Sequence, residues 1–260
     1  MSAQTLSPLV GDLSHQIAVN EQVVEFAYSL MSFERDARRK DFVFLAISHK
    51  CLLSSGAIRT LCNEGRVDDA LCLTRVLVET VITAGHLWES PDQVTEDYLD
   101  YPRYTRWLEY EIMRNVDPLL VEGISEAEID KMKSDHEQVR ARYEARAGGS
   151  WTGDGIFERA KKIDAVAHFT LLLSLINVAW RKTNPYLGSN ADSLGPRLQE
   201  DGQYINIHRA VASREEAAGV LFMANLALFA LAALLDLRLG APQAAVWKRF
   251  HSQWLGQEIG

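Results

Sequence analysis

The chain has 260 residues, a net charge of −8 and 47% hydrophobic side chains, enough apolar material for a sizeable core and too much for extended disorder. The acidic balance argues against broad electrostatic attraction to nucleic acid or anionic lipid. Cys51, Cys62 and Cys72 have no CxxC spacing, which excludes a zinc ribbon or disulfide framework and reads as reduced core thiols of a cytoplasmic protein.

Apolar residues recur with the 3.6-residue helical period along nearly the whole chain, and no convincing alternating strand is found, so the fold class expected is all-α: a single-domain bundle of about eight to ten helices. The first helix is predicted over Asp12 to Ser32, and the N-terminus lacks the basic flank and apolar run of a signal peptide. Arg35, Arg38, Arg39 and Lys40 form a local basic cluster that reads as a solvated helix end. A second helix spans Asp41 to Asn63 and ends near Gly65; a third starts at Val67 to Asp69 and stops before Pro91. A fourth, from Asp92 to Asn115, is expected to kink or break near Pro102 and is dense in Tyr98, Tyr101, Tyr104, Trp107 and Tyr110.

Ser125-Glu126-Ala127-Glu128 has capping-box spacing and opens a very polar helix, predicted to protrude over residues 125–147. Gly148 and Gly149 break the chain, and Asp154 is the expected N-cap of a short helix from Gly155 to Lys162. A second apolar helix follows from Asp164 to Thr183, then a long loop over residues 184–203, of a length usually found in functional segments. Ser213 to Leu239 is the next helix. Its stretch Ala217 to Leu235 holds nineteen uncharged residues, long enough for a membrane span, but its alanines, Asn225 and the capping spacing of Ser213 and Glu216 favour a core helix. A terminal helix opens with Pro242 near its first turn.

Two of these helices carry a narrow polar stripe. Arg75, Glu79, Thr83 and His86 fall within about a quarter of the circumference of the third helix, at about 100° per residue. Thr170, Ser174, Asn177, Arg181 and Asn184 do the same on the second apolar helix. Charged groups on buried helices must be paired or face a cleft, so the expected site is an interior locality shared by Arg75, Glu79 and Arg181, either a register-fixing network or the lining of a polar pocket. Arg75, Glu79, Trp151, Asn177 and Arg181 are the candidate ligand-binding residues. Arg75, Glu79, His86, Arg181 and Asn184 are the candidates for catalysis. No phosphate loop, dinucleotide turn, HExxH, GxSxG or Glu-x-x-His pair is present, so no cofactor or metal is indicated. Trp151, after a glycine-rich break, is either a ligand platform or a plug for the core.

Leu73-Thr74-Arg75-Val76-Leu77-Val78-Glu79, the aromatic stretch Tyr101 to Tyr110, Trp151-Thr152-Gly153 followed by Ile156-Phe157-Glu158-Arg159-Ala160, and Arg181-Lys182-Thr183-Asn184-Pro185 together resemble a bacterial all-helical family of unknown function, DUF5677. That resemblance implies an all-α fold and no particular activity. The family pattern places a His where this chain has Asn184. A looser resemblance is to HEPN-type helical ribonucleases, whose signature is an Arg followed four to six residues later by His; no arginine here has that partner.

The expected role is a cytoplasmic helical binding or interaction protein with a buried Arg/Glu/Asn network, its partner another protein or a second copy in a homo-oligomer, with no membrane. The alternative is a HEPN-like ribonuclease toxin or defence factor with an atypical site, and only that alternative has RNA as partner.

Overall fold

The computed structural model describes residues 11–31, 38–146, 150–167, 172–179, 198–201, 204–207 and 212–238. The fold is all-α, with eight α-helices among the described residues: α1 (Leu13–Ser29), α2 (Arg39–Asn63), α3 (Val67–Glu89), α4 (Asp92–Val116), α5 (Glu126–Glu144), α6 (Ile156–Ala167), α7 (172–179) and α8 (Arg214–Arg238). One antiparallel hairpin adds β1 (Leu198–Asp201) and β2 (Tyr204–Ile207), with Leu198 opposite Ile207 and Asp201 opposite Tyr204. β1 falls within the expected loop over residues 184–203, and β2 falls just after it, where no strand is expected. Four-residue strands are too short for alternation to stand out in the sequence. The expected helix after Pro242 lies outside the described residues.

Helix ends follow local chemistry. Asp12 caps α1 by accepting from the N–H groups of Ser14 and His15, and Ser125 and Glu128 form a capping box at α5. Ser213 and Glu216 do the same for α8, Ser213 N–H donating to Glu216 Oε2 at 2.7 Å and Glu216 N–H to Ser213 Oγ at 3.1 Å. α2 ends at Asn63 with Glu64 as C-cap, and Gly65 follows with a φ of 72°, a left-handed conformation open to glycine at little cost. Pro102 sits inside α4 without ending it.

The second apolar helix differs from its expected course. Asp164, predicted to open it, belongs to α6, and its carboxylate accepts from the N–H groups of Leu172 and Leu173 at 3.2 and 3.0 Å. It thereby satisfies donors that the first turn of α7 cannot pair within the helix. Of the stretch from Asp164 to Thr183, residues 164–167 thus belong to α6 and residues 172–179 to α7, and the Asp164 side chain links the two.

The chain divides into two compact units, Met1–Trp88 with Ala160–Gly260 and Glu89–Arg159. In the first, α8 is the central element: most of its circumference is buried between Ala217 and Leu235, and Phe222, Leu226 and Ala233 form a partly buried stripe that runs on to the exposed Leu237. α1 and α2 both pack against it. α2, α3 and α8 are each long and apolar enough to cross a membrane by length and composition.

Four fully buried polar side chains fix how these helices meet. Asn20 Nδ2 on α1 donates to Ser55 Oγ on α2 and to Asn225 Oδ1 on α8, both at 2.8 Å. Asn225 Nδ2 in turn donates to the backbone oxygen and to Oε1 of Gln16, both at 3.0 Å. A second constraint is steric. A Cβ on Gly85 of α3 would stand 3.0 Å from Leu234 Cδ1 of α8 and 3.1 Å from Ile163 Cδ1 of α6, so glycine is what lets these three helices approach.

Asn225→Leu should lower stability by about 3 kcal/mol in urea denaturation, because it leaves one buried Asn20 donor without its acceptor and removes both hydrogen bonds from Asn225 to Gln16. Gly85→Val should cost about 2 kcal/mol or more through overpacking against Leu234 and Ile163, despite valine's lower backbone entropy in the unfolded chain. A neutral result for either substitution contradicts the packing described.

Candidate functional site

The first stripe stays together on α3. Arg75 Nε donates to Glu79 Oε1 at 3.0 Å, and Thr83 Oγ1 donates to the backbone oxygen of Glu79 at 2.9 Å. The Arg75 side chain is 18% exposed and that of Glu79 41%, so the pair sits at the boundary with solvent rather than inside. Glu79 thus departs from the expectation of an inward-pointing ionic group, whereas Arg75 is largely shielded. A carboxylate at that exposure keeps its hydration, and a pair of this kind contributes at most about 1 kcal/mol. His86, one step along, is buried.

Of the second stripe only Ser174 and Asn177 lie among the described residues. Asn177 is exposed and its Nδ2 donates to Leu173 O of its own helix at 3.0 Å, a local back-bond of the kind that polar residues make on a solvent face. Arg181 and Asn184 lie outside the described residues. Trp151 belongs to the other compact unit. It lies edge-on to Tyr98 at 4.9 Å between ring centroids, under the Arg159 guanidinium at 5.5 Å, and it packs on the core of that unit.

A densely paired ionic group lies on α4, where the sequence singles out only the tyrosines. Asp97 of α4 is buried, and it accepts from Gln93 Nε2 at 3.0 Å, from Arg142 Nη1 at 3.2 Å and from Arg146. Arg146 also donates to the backbone oxygen of Trp151, and the hydroxyl of Tyr143 to that of Asp97 at 2.6 Å. Burial by itself would push the Asp97 carboxyl up; the hydrogen bonds from Arg146 and Gln93 and the charges of Arg146 and Arg142 outweigh it and hold the group below the usual carboxylate range. Around this ion cluster the rings of Tyr101, Tyr104 and Tyr143 meet at 5.4 to 6.0 Å, and His136 stacks on Tyr104 with its Nδ1 2.9 Å from that residue's backbone oxygen. The tyrosine run and the polar helix are thus each other's partners within Glu89–Arg159. The polar character of α5 masked this, because Arg142 and Arg146 look like two more solvated charges among many.

Nucleophilic chemistry at the cysteines is disfavoured. Burial pushes the Cys51 and Cys62 thiols up to about 12, and the thiolate is the reactive form. Asp164 is raised by burial, which prevails over the two backbone N–H groups it accepts from; its place at the start of α7 makes it a cap. Among the described residues, no group of three or more His, Cys, Asp or Glu could hold a metal ion.

Two surface features of the Glu89–Arg159 unit are open to a ligand or partner. The end of α4 and the 3-10 turn Pro118–Val121 expose Ile112, Val116, Leu119 and Leu120, Val116 and Leu119 at 74% and 71%. Separately, a groove of about 450 Å³ runs between α4 and α5, with Arg103, Arg106 and Lys131 in its wall.

Because the folded-state value of Asp97 is depressed, its contribution is present above the ordinary carboxylate range and is lost as pH falls through the folded value. Native chain and Asp97→Asn should therefore differ by about 2 kcal/mol at neutral pH, a gap that closes as the pH is taken below about 3.9. Urea titrations at a series of pH values measure it, and a pH-independent gap contradicts the assignment.

No curated protein and no solved structure matches the chain. Residues 41–205 match a family described as a family of unknown function (DUF5677). The matched stretch contains the whole Asp97 cluster and Trp151, together with Arg75, Glu79 and Ser55, whereas Gln16, Asn20 and Asn225 of the buried amide network lie outside it. With well over half its length matched, the chain belongs to the DUF5677 family of unknown function.

Proposed function

We propose that this protein is a protein-binding module whose contact surface is the apolar cap formed by Ile112, Val116, Leu119 and Leu120. The observation that carries this reading is their exposure side by side in sequence, at a helix end and the turn that follows it. Contiguous exposed apolar patches mark interaction sites far more often than scattered apolar residues do. The cap is bordered in sequence by Glu109, Glu111, Asp117 and Glu122 against a single cation, Arg114. Two copies meeting cap to cap would bring like charges together, so charge complementarity favours a different protein with an apolar recess and a basic rim. The proposal sets the chain in the cytoplasm, which its three free cysteines support.

The ribonuclease alternative has less behind it. His86 is buried and Arg75 is engaged by Glu79, while Arg181 and Asn184 lie outside the described residues.

A photo-cross-linking residue in place of the exposed Asn115 should trap a heterologous protein in the native host. Binding of that purified protein, followed by calorimetry, should weaken about tenfold or more in Leu119→Ser/Leu120→Ser, which is roughly 1.4 kcal/mol. Thermal stability should not change, because both side chains are already in water. Undiminished binding by the double variant, or cross-linking to a second copy alone, overturns the proposal.

A further inference from the structure

We propose that the groove between α4 and α5 is a binding site for a small phosphate monoester carrying an apolar body. It lies on residues separate from the apolar cap, and it stands or falls independently of that reading.

The groove is lined by three cations and two carboxylates, and the pairing among them decides what it can hold. Arg103 Nη2 donates to Asp135 Oδ1 at 3.0 Å and to Gln138 Oε1 at 2.7 Å, and the same guanidinium pairs with Asp100 at 3.5 Å. Asp135 is thereby taken up. Glu128 is taken up as well: it accepts from the hydroxyl and the N–H of Ser125 at 2.7 and 3.0 Å, and these bonds hold its carboxyl below the usual range. The positive end of α5 is thus already answered by the protein's own carboxylate.

Arg106 and Lys131 remain. Both line the groove, both are exposed, and among the described residues neither enters an ion pair or a hydrogen bond. Two uncommitted positive charges in a chain of net charge −8 match one dianionic group, and a phosphate monoester carries about −1.5 to −2 near neutral pH. Arginine and lysine together supply a planar fork and a point charge, the usual pair for phosphate oxygens. The rest of the wall includes Ile124 and Met132, an apolar surface for the body of the ligand, and Gly123 with φ of 92° turns the chain there. A volume of about 450 Å³ lies within the range of small-molecule sites.

The test is an NMR titration of the full chain with phenyl phosphate, inorganic phosphate and phenol, following the amides of Gly123, Ile124 and Met132. Phenyl phosphate should give saturable shifts at these amides and bind more tightly than either fragment. In Arg106→Ala/Lys131→Ala the affinity should fall about tenfold or more, while Lys133→Ala, an exposed α5 cation outside the groove, should bind as the native chain does. Binding should also weaken as salt is raised. The proposal is overturned if phenyl phosphate gives no saturable shift, if phenol binds equally well, if inorganic phosphate binds as tightly as the ester, or if the double variant keeps native affinity.

Discussion

Asn225 sits in the middle of a helix whose neighbours are alanine, leucine and phenylalanine, and the unit built around that helix depends on how this one amide is paired. An unpaired amide in an apolar interior costs several times what a paired one contributes. Its partners must therefore be present wherever α8 is buried. Gln16 and Asn20 supply them from α1, and Ser55 joins through Asn20 from α2. Apolar faces alone would let three such helices slide by a turn at little cost, since alanine and leucine repeat along them. The amide chain permits one register, and Gly85 then sets how near α3 and α6 come to α8. The same polar residue bears on the membrane question: a buried Asn225 bonded to two side chains and one backbone oxygen is consistent with a packed core helix, although the apolar length of α8 alone would also suit a bilayer.

The Glu89–Arg159 unit solves the corresponding problem with charge and aromatic rings. Its buried cluster is small, Tyr104, Val139 and Tyr143, with Tyr101, Leu108 and Trp151 packed at the margin. A carboxylate is buried in it, and three donors from outside its own backbone keep it ionised. Arg142 and Arg146 also lie over the Tyr143 ring at 5.9 and 5.3 Å, so each guanidinium acts twice, once on an anion and once on a π face. Holding α5 to α4 here is an ionic matter as much as an apolar one.

Helix existence was readable because a 3.6-residue apolar period survives any tertiary arrangement. Caps were readable where a short motif carries the whole interaction, as at Ser125 and Glu128 or Ser213 and Glu216. What could not be read was pairing between distant residues. Arg75 and Glu79 stood out because they interrupt an apolar helix, yet a stripe on a sequence has no depth, and Glu79 proved to face water. Asp97 stands in a helix full of carboxylates, and its two arginine partners lie 45 and 49 positions away, so the sequence around it does not separate it from a solvated charge. Asp164 lies in α6 rather than at the start of the helix that follows, and its bonds to the Leu172 and Leu173 N–H groups, eight and nine positions on, are again pairing that a local reading does not reveal.

The contrast between the two units bears on where function resides. A unit with so few buried apolar side chains gains from every one it can enclose, at about 25 cal/mol per Å² of apolar surface removed from water. Leaving Ile112, Val116, Leu119 and Leu120 outside forgoes that gain, and placing them on a helix end and a tight turn exposes them further. The polar side chains of the same unit show the reverse economy, since Asp135 and Glu128 are each bound to a neighbour while Arg106 and Lys131 are left over. Internal stability accounts for neither excess. Both become intelligible when the surface of Glu89–Arg159 is complementary to something other than itself, whereas the unit built on α8 turns its best-placed polar groups inward to its own helices.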